Sequence, residues 1–413
     1  MKILMVSQRD IDVRENGTSR TTFLISNYLA STEGIQVFTT YKNITTADKR
    51  ITEIPLGKLT AENIGGIIRQ FDIDALICNE GYLFSSILKQ ATEGTKCKIV
   101  SALHNVPGYD VAPLWSQVIG EIKSQSIRRK ITGLIKFLSF PVYKNYRRRQ
   151  RMKEFQDAYL LSNLFLLLSP SYIEPFRKIY RLKDSSHSQA IGNALSFEQE
   201  ITSQEFQQKE KTILVVSRLE EQSKRISLIL RTWRKIQDEY PEWNLRIVGD
   251  GPDAGLYKKM AADMRLERIT FEGRKNPELY YTRASIFLMT SAYEGWPMTI
   301  GEALQKGCVP VVMDSFSAVY DMITDGKEGF ITPNGHLKSF IEKVRFLMDN
   351  PMECARMATN GIKSCKRFTI DNIGQKWVDL LKSVINDRII HTMKILYQNI
   401  RVAMLCKFNF LYS

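Results

Sequence analysis

Ser291-Ala292-Tyr293-Glu294-Gly295-Trp296-Pro297-Met298-Thr299-Ile300-Gly301-Glu302-Ala303-Leu304 holds two carboxylates, Glu294 and Glu302, eight positions apart, with a glycine, a proline and small residues between them. It follows the apolar run Ser285-Ile286-Phe287-Leu288-Met289-Thr290 and leads into helical spacing that ends near Gly307. That order is strand, loop, helix. Glu294 then stands at the carboxyl end of a buried strand, and Glu302 inside the helix that follows. Open parallel sheets bind ligands along this edge, where helix N-terminal N–H groups point at the ligand. Two acids alone fit a helix-terminus charge and a solvated helix face as well, so the flanking sequence has to decide.

Working outward, the same alternation fills the second half of the chain. Buried strands are expected at Thr212–Ser217, Asn244–Val248, Ile269–Phe271, Ile286–Met289, Val309–Val312 and Gly329–Ile331. The first half repeats it, with strands at Lys2–Val6, Gln36–Thr40, Asp74–Cys78, Lys98–Leu103, Leu164–Leu168 and Ser188–Ile191, and helices over Thr18–Ala30 and Ala61–Phe71. Strands alternating with helices mean βαβ units and parallel sheets. The polar, acidic stretch 196–210 has no apolar strand pattern and reads as an interdomain linker. The expected fold is α/β, two doubly wound Rossmann-like domains facing each other across a cleft. Residues 1–195 form the first domain, 211–372 the second, and 373–413 a C-terminal helical segment that packs back on the first.

A length of 413 residues suits two domains. With 44% hydrophobic and 25% charged residues the chain is ordinary for a globular protein, which excludes a disordered or fibrous class. Its six cysteines are scattered without a C-x-x-C pair and its four histidines are dispersed, which argues against a disulfide framework or a metal centre. The N-terminal run is too short for a signal peptide, and Ala158–Leu168 is too short to span a membrane. A cytoplasmic protein is expected. The net charge of +14 calls for an anionic partner: nucleic acid, an anionic membrane or a phosphorylated substrate.

Much of that charge sits in one insert. Residues 123–153 hold eleven Lys or Arg and no acid, interleaved with large apolar residues. Ile127, Ile131, Leu134, Ile135 and Leu138 share one helical face, and Pro141 punctuates the pattern. Such a helix suits the surface of an anionic membrane, with a solvated basic helix or nucleic-acid binding as the alternatives. Without a nucleic-acid fold signature, membrane contact is favoured and nucleic acid is not expected as a partner. This places the protein at the inner face of the cell membrane, as a peripheral protein. The segment Arg388–Ser413 is also amphipathic and lacks acids.

Four shorter patterns bear on chemistry. Arg218 and Lys224, six apart after the strand ending at Val216, suit a diphosphate. Gly249-Asp250-Gly251 is half of a dinucleotide fingerprint and reads better as a tight turn. Asp72-Ile73-Asp74 could hold a divalent metal or simply open a strand; the second is preferred. His104-Asn105 follows a strand at a carboxyl edge, where a histidine is either structural or catalytic.

Together these pieces resemble family 4 glycosyltransferases, retaining enzymes of the GT-B fold with a group 1 glycosyl transferase domain. The resemblance runs through Val216-Ser217-Arg218-Leu219 with Lys224, Ile247-Val248-Gly249-Asp250-Gly251-Pro252, Phe271-Glu272-Gly273, the E-x7-E pair Glu294 and Glu302, and Asp325-Gly326-Lys327-Glu328-Gly329-Phe330. It is strong over roughly 215–335 and loose in the first half, through Met1–Val6, Asn16-Gly17-Thr18 and His104-Asn105.

The resemblance implies roles for these positions. Arg218 and Lys224 bind the donor's pyrophosphate and stabilise the leaving nucleoside diphosphate, so no metal is expected. Glu302 accepts hydrogen bonds from the ribose, and Glu294 holds sugar hydroxyls. Trp296, Met298 and Thr299 supply N–H groups around Pro297, which has none. Gly273 and Arg274 lie near the nucleobase, His104 near the transferred sugar, and Gly17 where the first loop approaches the phosphates. Arg225 stands where a glycine is common, which is expected to add charge near the diphosphate. The implied reaction moves a sugar from a UDP-, GDP- or ADP-sugar to a hydroxyl of a glycan or lipid-linked acceptor in cell-surface polysaccharide or glycolipid synthesis. Competing readings are a UDP-sugar 2-epimerase of the same fold, which would release epimer from donor alone, and a non-catalytic sugar-nucleotide- or membrane-binding module.

Overall fold

A computed structural model describes residues 1–13, 17–42, 48–108, 114–123 and 126–386. The expected helical segment beyond 386 lies outside the described residues.

The first domain is built on β1 (Lys2–Val6), β2 (Gln36–Thr39), β3 (Ile51–Glu53), β4 (Ala75–Cys78), β5 (Lys98–Ala102), β6 (Leu164–Leu167) and β7 (Ser188–Ala190). Its seven strands run parallel in the order β3-β2-β1-β4-β5-β6-β7. The second domain holds β8 (Glu210–Val216), β9 (Asn244–Val248), β10 (Ile269–Gly273), β11 (Ala284–Met289), β12 (Val309–Asp314) and β13 (Phe330–Pro333). These are parallel too, in the order β10-β9-β8-β11-β12-β13. Strand order reverses beside β1 in one sheet and beside β8 in the other, and a crevice opens at such a point.

Strands such as Ala75–Cys78 are buried along their whole length, as a sheet covered on both faces requires. β3 was not anticipated from sequence, because it has three residues and only Ile51 is buried. One apolar cluster runs through both domains, joining Leu195 of the first to Trp296, Ile300 and Phe368. Separate clusters fill the outer face of each sheet.

The linker carries more structure than its polarity suggests. Ser203–Gln207 is helical, because the Thr202 hydroxyl accepts from the Glu205 N–H while the Glu205 carboxylate accepts from Thr202. After the second domain the chain crosses back as a helix over 370–386. Gly374 lets that helix lie against Tyr28, whose ring a Cβ at 374 would meet at 2.2 Å.

Asp72-Ile73-Asp74 is structural. Asp72 takes a left-handed conformation at the end of helix Ala61–Phe71. Lys96 reaches Asp72 at 2.8 Å and Asp74 at 2.7 Å, and Asp74 also accepts from the Lys2 N–H.

Candidate functional site

Between the domains lies a cleft of about 1040 Å³ lined from both sides. It contains every donor-site position that the resemblance implies except Gly273 and Arg225: Gly17, His104, Arg218, Lys224, Arg274, Glu294, Trp296, Pro297, Met298, Thr299 and Glu302. Gly273 ends β10 at φ 71°, the left-handed region that suits glycine, one residue before Arg274.

β8 and β11 are neighbours, so the loops leaving their carboxyl ends meet. Lys224 Nζ lies 2.5 Å from Glu294 Oε1, which also accepts from the Ser291 hydroxyl at 2.6 Å. Arg218 extends from the β8 loop with its guanidinium largely exposed and 3.7 Å from Glu220. The glycines of Gly249-Asp250-Gly251 keep that loop in place. A Cβ at 249 would lie 1.9 Å from the Ser217 carbonyl, and one at 251 would lie 2.4 Å from that of Leu219. They serve backbone packing, as the tight-turn reading has it.

Arg225 does not add charge to the diphosphate region. It adopts φ 50° between helices Glu221–Lys224 and Ile226–Ile236, the conformation a glycine would take. Its guanidinium donates to the Thr290 and Ser291 carbonyls at 2.6 Å each, tying the end of β11. Burial lowers its pKa.

Beyond Pro297, helix Met298–Gln305 begins without a side-chain cap. The Ile300 N–H bonds to the Pro297 carbonyl, while Met298 and Thr299 line the cleft with no side-chain cap on their N–H groups, an arrangement suited to an anion or to sugar oxygens. Trp296 contributes more than an N–H. Its ring is 9% exposed, packs edge-on against Phe368, and fills the space a Cβ at Gly192 would need. It anchors one domain against the other.

Glu302 is 2% exposed, and its Oε1 is held by Arg20 of the first domain at 3.0 Å. Arg20 also donates to Ser196 in the linker. This interdomain pair was missed in the sequence; its only trace there is the three-residue spacing that puts Arg20 near Gly17 on one helix face. Other contacts join the domains at the same rim. The Tyr172 hydroxyl donates to the Glu294 carbonyl at 2.8 Å, Met298 Sδ would meet a Cβ at Gly17 at 3.5 Å, and Gly295 packs on the His104 carbonyl.

His104 faces this closed cleft with neither ring nitrogen hydrogen-bonded within the protein. Burial pushes its pKa down to about 4, so the ring is neutral near pH 7. Asn193, also on the cleft, leaves its side-chain oxygen buried and unpartnered. Buried polar atoms of this kind are free to meet donors or acceptors from outside the protein, water or ligand. Among the described residues no three His, Cys, Asp or Glu side chains converge as a metal cage.

Residues 196–364 match the model of the family described as glycosyl transferases group 1. The chain carries a group 1 glycosyl transferase domain. That domain supplies Arg218, Lys224, Glu294 and Glu302, whereas Gly17, Arg20 and His104 come from the preceding half.

Among curated relatives, an uncharacterized glycosyltransferase of Haemophilus influenzae is 23% identical over 228 residues, 55% of this chain and 57% of that protein. The poly(glycerol-phosphate) alpha-glucosyltransferase of Bacillus subtilis is 26% identical over 178 residues, 43% of this chain and 26% of that protein. The chain thus matches between about a quarter and just over half of these relatives' lengths. Among solved structures, Anabaena HepE in complex with UDP superposes with a TM-score of 0.67 at 16% identity, covering 93% of this chain and all of that one. A likeness over both domains establishes the GT-B fold of the group 1 glycosyl transferase domain and its partner.

Proposed function

We propose that the protein is a retaining glycosyltransferase of family 4 type that takes a nucleoside diphosphate sugar as donor. The observation that carries this reading is a convergence at the switch point of the second sheet. Lys224 paired to Glu294, Arg218 on the adjoining loop and the uncapped N-terminus of helix Met298–Gln305 meet there. Two cations and a helix N-terminus suit a diphosphate.

In the proposed reaction the anomeric carbon–oxygen bond to the diphosphate breaks, and its electron pair goes to the leaving phosphate oxygen. Arg218 and Lys224 stabilise the charge that develops there, without a resident metal. The acceptor hydroxyl attacks from the same face, and its proton passes to that phosphate oxygen. A carboxylate nucleophile would be the alternative route to retention. Among the described residues, the acids lining the cleft are Glu220, Asp250, Glu294 and Glu302. Each accepts a hydrogen bond, from Ser223, the Gly251 N–H, Lys224 and Ser291, or Arg20 respectively. Glu294 then positions sugar hydroxyls, Glu302 meets the ribose, Gly273 and Arg274 border the base, and neutral His104 faces the transferred sugar.

The acceptor is a hydroxyl of a glycan or lipid-linked intermediate in polysaccharide or glycoconjugate synthesis. The substrate in the name of the Bacillus relative, a poly(glycerol-phosphate), supports that class. The enzyme works in the cytoplasm at the inner membrane face. Among the described residues, no helix is long and apolar enough to cross a membrane.

The test is thermal stabilisation by UDP, GDP and ADP in the presence of EDTA. One of them at about 100 times its Kd is expected to add about 2.7 kcal/mol, with the Lys224→Ala protein losing most of the shift. No shift with any of the three, or a shift only when a divalent ion is restored, overturns the donor reading.

A further inference from the structure

Helices Leu114–Lys123 and Ile127–Leu138 form a hairpin on the first domain, and helix Phe140–Leu161 continues from it. The hairpin is tied internally. Gly133 lets its helices touch, since a Cβ there would lie 2.8 Å from the Ile122 nitrogen, and Lys136 meets Glu121 at 2.6 Å. Trp115 packs against Phe137 and edge-on against Phe140. Among the described residues, nothing covers the outward side. Ile127, Ile131, Ile135, Leu138, Val142 and Tyr146 are all exposed, Leu138 to 82% and Ile127 to 75%. A soluble surface rarely gathers so many large apolar groups in one place.

The charge around them is of one sign. Arg128, Arg129, Lys130, Lys144, Arg148 and Arg149 are exposed. No Asp or Glu occurs between Glu121 and Glu154. Glu121 is taken by Lys136, and Glu154 by Arg151 at 2.6 Å. The sequence beyond Asp387 contains Lys and Arg and no acid, so a basic tail is a poor electrostatic match for this patch.

We infer that this hairpin, with the first turns of helix Phe140–Leu161, is a docking surface for an anionic lipid bilayer. The apolar side chains enter the acyl boundary while the guanidinium and ammonium groups meet lipid phosphates. Position in the fold adds a consequence. The hairpin follows His104-Asn105 along the chain, and both residues line the cleft. Docking of the first domain on the bilayer fits an acceptor anchored in lipid; that last step rests on the glycosyltransferase reading.

The experiment is flotation of the full chain with phosphatidylcholine vesicles, with and without phosphatidylglycerol. Binding is expected only with the anionic lipid, and to weaken as salt rises. L138S/V142S is expected to lose at least about tenfold in partitioning, from the apolar area no longer buried. R147S/R148S/R149S is expected to lose about 100-fold at low salt, at roughly one decade or less per charge. L138S/V142S alters exposed positions, and R147S/R148S/R149S alters two exposed positions and the half-buried Arg147; unchanged melting and nucleotide binding would show that fold and donor site are intact. A protein that stays with the soluble fraction overturns the inference, as does flotation that neither variant weakens. Tight RNA binding with vesicles ignored would assign the patch to nucleic acid instead. Failure of nucleotide binding with flotation intact would remove the donor reading and leave the docking surface standing.

Discussion

Gly295→Ala adds one methyl group where the two domains touch. Its Cβ would lie 2.7 Å from the His104 carbonyl oxygen and 3.0 Å from the Asn105 Cα. Both are backbone atoms, so no side chain can rotate away. Gly295 is not among the glycines at positive φ, so alanine brings no conformational strain and the effect is steric. Restoring van der Waals separation requires the domains to part by roughly 0.5–1 Å at that point. The parting separates His104 from Glu294 and Lys224 and stretches the Tyr172 bond to the Glu294 carbonyl. A displacement of about 1 Å between groups that must hold a reacting substrate costs on the order of 100-fold, or about 2.7 kcal/mol in the barrier. The assay is kcat/KM for donor hydrolysis or transfer, beside the Kd for the nucleotide alone. A fall of about 100-fold in kcat/KM with a much smaller change in nucleotide Kd is expected, because all the nucleotide's assigned contacts except Gly17 lie in the second domain. Activity within about threefold of the parent would refute the claim that this contact sets the working geometry.

Other perturbations follow from the same cleft. Lys224→Ala and Glu294→Ala should each lower transfer by about 100- to 1000-fold, with the circular dichroism of a folded protein; unchanged turnover in either would remove the site assignment. Arg20→Ala leaves the buried Glu302 without its cation. It should cost about 1–3 kcal/mol by urea unfolding, below the value for a fully buried pair because Arg20 is partly exposed; a change within about 0.5 kcal/mol would show that the pair contributes little. His104 has its folded pKa held near 4 by burial, against about 6.5 when unfolded. Its neutral form therefore favours the folded protein fully above pH 6.5, and that contribution is lost as pH falls from 6.5 through 4. The NMR signal of the His104 ring should not titrate above about pH 5, and a midpoint near 6.5 would place the ring in water.

Strands and helices with continuous or periodic apolar patterns were legible before any coordinates. Helix Ala61–Phe71 falls where its spacing puts it, and the break after Leu138 falls two residues before Pro141. β3 was not legible, since one buried side chain in three makes no pattern. Within the cleft, residues on loops after apolar runs could be found because a parallel sheet gathers its carboxyl-end loops on one edge. Arg20 could not, because 282 positions separate it from Glu302 and no local rule reports such a contact. Arg225 misled for a related reason. Its charge is visible in sequence, but its positive φ and its two carbonyl acceptors arise only when β11 lies beside it. Trp296 likewise reads as one more N–H donor until the ring is seen against Gly192 and Phe368.

The central claim is a retaining transfer from a nucleoside diphosphate sugar. Its most direct test is proton NMR of slow donor hydrolysis, using whichever α-linked UDP-, GDP- or ADP-sugar stabilises the protein. The α-anomer of the free sugar is expected to appear first and to mutarotate afterward. Initial release of the β-anomer, or of an epimerised sugar, would contradict that claim.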